Sequence, residues 1–515
     1  MGLANWRNLL AVAAAACLLA SASAAQAAWY RAETDRFVVF GEGRESRVRE
    51  YAVKLTHFDR VLRQLNPAAA DSPTGGKVEV YLVRGLVELR RVRPGIDASI
   101  AGFYTGNNEA MFAVADVDRA GLEAQQILFH EYAHHFMLAN FPAAYPAWFV
   151  EGWAEYFMTA EINPKVIEVG RYNPGRAQWL LESRWIPLDV LLTRHLGQLS
   201  EKQRAMYYSQ AWHLTHYMSS TPERAAQLNK AILAISKGEQ PLAAFKAATG
   251  MGPKELEKAL AKYRQLPILT LANNYPAPAV TVTVLPTSAD DLLLVNLRLM
   301  ASPAGGPDGG LLQQIRRKAA DYPGDRLAQM TLARAEFTYG DVAAGDAIMQ
   351  GLIAADPKDL DALVLAGVGK RIAGERDLSR KTEHYRAARQ LFMQAYKLDQ
   401  DDFRSLYHYA RSRSVEPAYP NENDVTALLT ARALAPTVQE ISFFAGEALV
   451  RHGRKDEAAS VLSPLLNWPH GGAAPVLAQA ILDGKTYDQA VHALETEAKS
   501  AAEPTSASKE EAPAG

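Results

Sequence analysis

A chain of 515 residues with a single cysteine, Cys17, cannot be a disulfide scaffold and has no thiolate pair with which to grip a metal. Charge of one sign is missing too. Lys and Arg total 55 against 57 Asp and Glu, a formal net charge of −2, so no basic field exists to hold nucleic acid or anionic lipid. Local runs such as Arg44–Glu50 and Leu89–Arg93 are short or mixed in sign and read as solvated faces. What is abundant is apolar material: 48% hydrophobic residues, enough for large cores in more than one domain.

The N-terminus has its own pattern. One basic residue, Arg7, precedes the apolar run Leu9–Ala20, and small residues lead to Ala25-Gln26-Ala27. Residues 1–27 therefore read as a secretory signal peptide with an A-x-A cleavage site, the run being too short to span a bilayer. Cys17 follows Ala14-Ala15-Ala16 rather than a leucine-type box, so a lipoprotein is not expected. Cleavage would remove Arg7 and Cys17 and leave a net charge of −3, one positive charge less than −2. The expectation is a periplasmic or secreted protein without a membrane anchor, in which any metal is held by His, Asp and Glu.

Residues 29–115 alternate apolar and polar in short runs. Arg36–Phe40, Lys77–Val83 and Ala101–Val114 read as strands, the last a hairpin turning at Thr105-Gly106-Asn107-Asn108. Helical spacing covers Arg47–Leu65 and, without Gly or Pro, Leu122–Ala139. Pro142 and Pro146 break the second of these, and another helix starts over Ala147–Glu161. The spacing predicts an α+β domain over 28–270, a small sheet followed by helices. Residues 271–310, rich in Pro, Gly and Ser, read as a linker.

From 311 to 498 the chain is helical and quasi-repetitive, with segments ending at Pro357, Gln400 and Pro436, 43 and then 36 residues apart. Small positions such as Gly446 and Ala458, set against the large Leu462, let two helices of a hairpin approach. The pattern resembles tetratricopeptide repeats, whose period is about 34 residues, with an insertion around Gly374–Lys381. Residues 499–515 read as a disordered tail by composition.

The chemistry centres on His130-Glu131-Tyr132-Ala133-His134. At 3.6 residues per turn, His130 and His134 project from one helix face and can grip one ion as neutral imidazoles. Glu131 is rotated off that face, within reach of a metal-held water as a general base. With 12 His in the chain, the five-residue pattern arises by chance in roughly one such sequence in fifty. The next helix adds to it. A catalytic zinc wants three protein ligands, and Glu151, isolated among Trp148, Phe149, Val150 and Trp153, is a carboxylate that needs a partner. Glu155 lies one turn further along, placed to accept the outer N–H of a liganding His.

"HEYAH" followed by "EGWAEY" resembles the gluzincin superfamily of zinc metallopeptidases, the thermolysin-like peptidase MA group, over roughly residues 29–265. The resemblance implies a thermolysin-like α+β peptidase domain, followed here by the all-α repeat domain. By match it implies Zn2+ held by His130, His134 and Glu151, Glu131 as the base and Glu155 orienting a histidine. The 17 residues from His134 to Glu151 are slightly fewer than in the best-known gluzincins, which leaves Glu155 open as an alternative third ligand. Strand 101–114 would be the edge along which a peptide lies. An oxyanion donor is sought among Tyr207, Tyr208, His213 and His216, and Tyr208 is favoured because its spacing to Trp212 resembles the helix following the site in these relatives.

The function expected on this basis is an exported zinc peptidase acting on a peptide or protein substrate, with repeats that bind substrate or a protein partner. The competing expectation is a non-catalytic scaffold whose repeats do the work beside a degenerate peptidase-like domain.

Overall fold

The computed structural model describes residues 28–69, 76–98, 100–118, 122–301, 309–466, 468 and 472–502. The expected signal peptide (1–27) lies outside these residues, as do 503–515 of the expected tail. The described residues contain no helix long and apolar enough to cross a membrane.

The first half opens with β1 (Trp29–Glu33), β2 (Phe37–Glu42), helix α1 (Glu45–Leu65), β3 (Val78–Val83) and α2 (Gly85–Val92). The hairpin β4 (Gly102–Gly106) and β5 (Met111–Asp116) leads to α3 (Leu122–Asn140), which carries the histidine motif, and α4 (Ala147–Met158). Then come β6 (Glu161–Ile162), β7 (Val166–Val169), α5 (Pro174–Glu182), α6 (Leu188–Thr193), α7 (Glu201–Ser219), α8 (Pro222–Ser236), α9 (Pro241–Thr249) and α10 (Pro253–Lys262). Strands β8 (Leu269–Ala272) and β9 (Thr281–Val284) close this half.

Six strands form a mixed sheet in the order β4-β5-β3-β2-β1-β9, with β2–β3 and β3–β5 parallel. Side chains alternate across a strand. Phe37 and Val39 therefore enter a core with Phe58 of α1 and Phe129 of α3, whose rings stack at 3.9 Å. Val38 and Phe40 enter a second core on the opposite face. Burial on both faces is why Phe37–Phe40 is an unbroken apolar run, as parallel strands require.

The stretch expected as a linker, 271–310, does not behave as one throughout. β9 pairs with β1 as the outer strand of the sheet, and helix α11 (Ser288–Ala301) lays Leu293, Leu294 and Leu297 into that second core beside Leu89 and Val92 of α2. Prolines flank a four-residue Thr-Val-Thr-Val alternation that fits a sheet edge, where Pro has no ladder bond to break. The hairpin turn also lies two residues later than the sequence suggests. Asn107 Oδ1 accepts from the backbone N–H groups of Glu109 and Ala110, so the chain reverses over Asn107–Ala110.

The second half is a run of stacked helices: α12 (Gly309–Ala320), α13 (Arg326–Tyr339), α14 (Val342–Ala355), α15 (Leu360–Arg376), α16 (Lys381–Leu398), α17 (Phe403–Ser412), α18 (Glu422–Leu434), α19 (Gln439–Arg451), α20 (Lys455–Leu466), α21 (Ala474–Leu482) and α22 (Tyr487–Ala502). Each helix packs on the next in sequence. Alternate helices start at Arg326, Leu360, Phe403, Gln439 and Ala474, which gives spacings of 34, 43, 36 and 35 residues. The long interval holds the inserted turn Leu378–Arg380. Asp325, Asp359 and Asp402 cap successive first helices by accepting from the N–H three residues on. Gly446 allows Leu462 of the following helix to approach to 2.6 Å from where a β-carbon would stand. These are tetratricopeptide-like helical hairpins. The last helix reaches Ala502, past the expected start of a tail at 499, and its Ala490 shares a core with Leu477 and Ile481.

Candidate metal centre

Helices α3 and α4 bring the site together. Pro146 precedes α4 in extended conformation and reverses the chain onto α3. The following helix is buried almost throughout, with Trp148, Glu151, Ala154 and Glu155 all inside. Gly152 fixes its depth: a β-carbon there would overlap the Ala211 carbonyl and the Thr215 hydroxyl of α7. On the other side Gly102 of β4 packs against Ile127 of α3, a β-carbon falling 2.7 Å from its methyl. The motif helix is thus held between an edge strand and a buried helix.

His130, His134 and Glu151 converge, one donor atom of each lying within 4.8 Å of the others. Glu151 Oε2 stands 3.5 Å from His130 Nε2 and 3.4 Å from His134 Nε2, and the two ring nitrogens are 3.0 Å apart. A tetrahedral zinc with bonds of about 2.0–2.1 Å sets its donors about 3.3 Å apart, so the three edges match such an ion. Glu151 is 0% exposed. Burial depresses the basicity of His130, but the Glu151 hydrogen bond and the Glu155, Glu151 and Glu131 charges outweigh it and leave the ring's pKa raised. This negative potential around two imidazoles suits a cation.

Glu155 does not share the ion-facing side. Its Oε1 lies 3.7 Å from His130 Nδ1, the ring nitrogen remote from Glu151. A ring cannot offer both nitrogens to one ion, so Glu155 stands away from the point on which the two Nε2 atoms and Glu151 converge. Glu155 is committed to Arg176 of α5, accepting from Nε at 2.8 Å and Nη2 at 2.6 Å. Sequence reasoning missed Arg176. Its signal, an arginine early in a helix that buries none of its residues, becomes meaningful only once α5 is seen over the site.

Glu131 points to the strand instead. Its Oε2 accepts from the backbone N–H of Tyr104 at 3.0 Å. In an antiparallel pair bonded residues alternate. Asn107 bonds Ala110 and Asp116 bonds Ala101, so the N–H of Tyr104 falls on the free edge of β4. The Tyr104 hydroxyl meets His135 Nδ1 at 2.9 Å. His135, half-buried and kept neutral by desolvation and the Arg63 charge with its pKa lowered to about 4, is thus a contact to the strand.

Of the four oxyanion candidates, Tyr208 reaches the site, its ring 6.4 Å from that of His130 and capped by the Arg176 guanidinium at 4.9 Å. Burial and the Glu151 and Glu155 charges hold its hydroxyl well above the usual range, so it stays a donor. Tyr207 donates to the Arg194 carbonyl, His213 bonds the Leu260 carbonyl, and His216 bonds Tyr263 and the Gly170 carbonyl, all structural contacts. A cleft of about 420 Å³ opens beside His130, lined also by Gly102, Ile127, Glu131, Trp179 and Tyr208 among others.

No protein-family profile matches this sequence, and no curated protein does. Among solved structures a thermophilic TPR protein of Thermus thermophilus is similar at 18% identity and a TM-score of 0.33, covering 38% of this chain and 99% of that one.

Proposed function

We propose that the chain is an exported, zinc-dependent peptidase of gluzincin type. The observation that carries the reading is the convergence of two imidazoles and one buried carboxylate at spacings that fit a tetrahedral ion, with a cleft opening beside His130. When bound, zinc would supply Lewis acidity toward a water and a substrate carbonyl. Glu131 would take the proton of the attacking water and return it to the leaving amine, as a carboxylate beside the free edge of β4 can do. Glu155 would hold His130 with its proton on Nδ1 and its lone pair on Nε2. Tyr208, protonated and beside His130, would donate to the developing oxyanion. An extended peptide would add to β4, whose outer edge no other strand covers among the described residues. The tetratricopeptide-like array supports a protein-interaction role as well.

The test is zinc content and hydrolysis on mature protein purified without added metal. One zinc per chain, lost in Glu151→Ala, together with cleavage of a peptide library that Glu131→Ala abolishes, is the expected result. A chain that takes up no zinc leaves the interaction scaffold as the reading. Zinc retained with no peptide cleaved by the wild type would leave a structural ion.

A further inference from the structure

The tip of the β4–β5 hairpin is not free. It lies against the end of α11 and the helices of the repeat array, far away in sequence. Asn107 donates through Nδ2 to the Met300 carbonyl at 2.6 Å, and Asn108 through Nδ2 to Glu440 Oε2 at 2.6 Å. His408 Nε2 lies 3.2 Å from the Asn108 carbonyl, and Glu109 forms an ion pair with Arg334. Met111, at the start of β5, is a member of the array's own core with Phe403 and Tyr407. Thr437, between α18 and α19, closes the set: its hydroxyl is 3.0 Å from the Tyr104 hydroxyl.

Tyr104 therefore has three attachments. Its N–H goes to Glu131, and its hydroxyl goes to His135, one turn on in the same helix, and to Thr437 of the array. The first two tie β4 to the motif helix, and the third ties it to the repeats. β4 is an edge strand, bonded on one side only, so its outer side is positioned by such side-chain contacts.

We infer that the helical array is a positioning element for the candidate base: Thr437, acting through the Tyr104 hydroxyl, fixes β4 and with it the Glu131 carboxylate. This rests on the peptidase reading for its catalytic consequence, and on geometry alone for the coupling. The inner side of the array, in this view, grips the chain's own hairpin, and anything that displaced the hairpin would also release Glu131. A base must stand within hydrogen-bond reach of the proton it takes, and a displacement of about 1 Å can cost up to about a hundredfold in rate.

The experiment uses the full mature chain and Thr437→Val, which keeps the shape facing Gly106 and Met111 but removes the hydroxyl, with Thr437→Ser as the rescue. Residue-resolved hydrogen exchange reads the Tyr104 amide, with the Phe103 amide, directed at β5 by the alternation, as the internal control. Expected for Thr437→Val is exchange at Tyr104 about tenfold faster with Phe103 unchanged, kcat about tenfold lower with KM and zinc content unchanged, and wild-type behaviour in Thr437→Ser. Unchanged exchange at Tyr104 would overturn the inference, as would equal loss of protection at Tyr104 and Phe103, which means only that the hairpin has loosened. Selective loss at Tyr104 in a protein that hydrolyses nothing would keep the coupling while removing the peptidase reading.

Discussion

Arg176 and Glu155 meet in a two-point pair, Nε to Oε2 at 2.8 Å and Nη2 to Oε1 at 2.6 Å, directly behind His130. Glu155 is 1% exposed, and α5, which carries Arg176, has no fully buried residue. The pair therefore both docks α5 on the site and fixes the carboxylate that faces His130 Nδ1. Loss of an outer partner of a liganding histidine lowers metal affinity by about 10–100-fold. Arg176→Met is expected to fall in that range by chelator competition while remaining folded by circular dichroism. Wild-type affinity in this variant would mean that Glu155 needs no support from α5.

Gly152 makes a second, steric prediction. Its Cα faces Ala211 so closely that α4 can sit no deeper, and the neighbouring Glu151 inherits that placement. Gly152→Ala must push α4 away from α7, an overpacking that costs about 1–3 kcal/mol, and must move Glu151 with it. Denaturant melts of the metal-free protein and zinc titration should both shift. A melt shift with unchanged zinc affinity would show that Glu151 is placed by other contacts.

How much of this was legible in the sequence depends on how far each contact reaches along the chain. His130, Glu131 and His134 follow from helical periodicity, and Glu151 and Glu155 from the next helix across a proline-marked reversal, so local rules suffice to suggest them. Tyr104, Arg176 and Thr437 do not, because nothing near Tyr104 in the sequence indicates that its hydroxyl will meet a residue 333 positions later. The proline-rich segment before α11 misled for a related reason. Composition reports chain stiffness and turns, while β9 and α11 are ordered by the sheet they complete.

Asp59 of α1 is 0% exposed and accepts from the Tyr132 hydroxyl at 2.6 Å and from Arg63 Nε at 3.0 Å, with Arg36 Nε at 3.1 Å. Tyr132 lies inside the histidine motif, so this buried cluster ties the motif helix to α1. Removing one partner of a buried charge network costs about 3–5 kcal/mol, because the others stay desolvated without it. Asp59→Ala is expected to lower the unfolding free energy by that amount in urea. A loss below about 1 kcal/mol would mean that water solvates the two arginines and the Tyr132 hydroxyl in place of the carboxylate.

The contact between the halves carries a pH dependence whose sign can be worked out at His408. Arg371 Nη1 stands 3.0 Å from His408 Nδ1, and a guanidinium only donates, so Nδ1 accepts and Nε2–H donates to the Asn108 carbonyl. A second proton would have to enter on the side facing Arg371. Burial first, then the charges of Arg371, Arg404 and Arg411, hold the ring's pKa well below its ordinary value, and the Asn108 carbonyl only partly opposes them. The unfolded chain takes up this proton near about pH 6.5, the folded chain only far lower. The native state is therefore at full strength above about pH 6.5 and loses stability as pH falls below it, the slope approaching about 1.4 kcal/mol per pH unit for one site. His213 and His216, also depressed chiefly by burial, add slope of the same sign. His408→Gln keeps an acceptor and a donor but cannot titrate, so urea melts at about pH 7.5, 6.5 and 5.5 should show a shallower decline in the variant than in the wild type. Equal slopes would place the proton uptake elsewhere and leave the hairpin contact insensitive to pH.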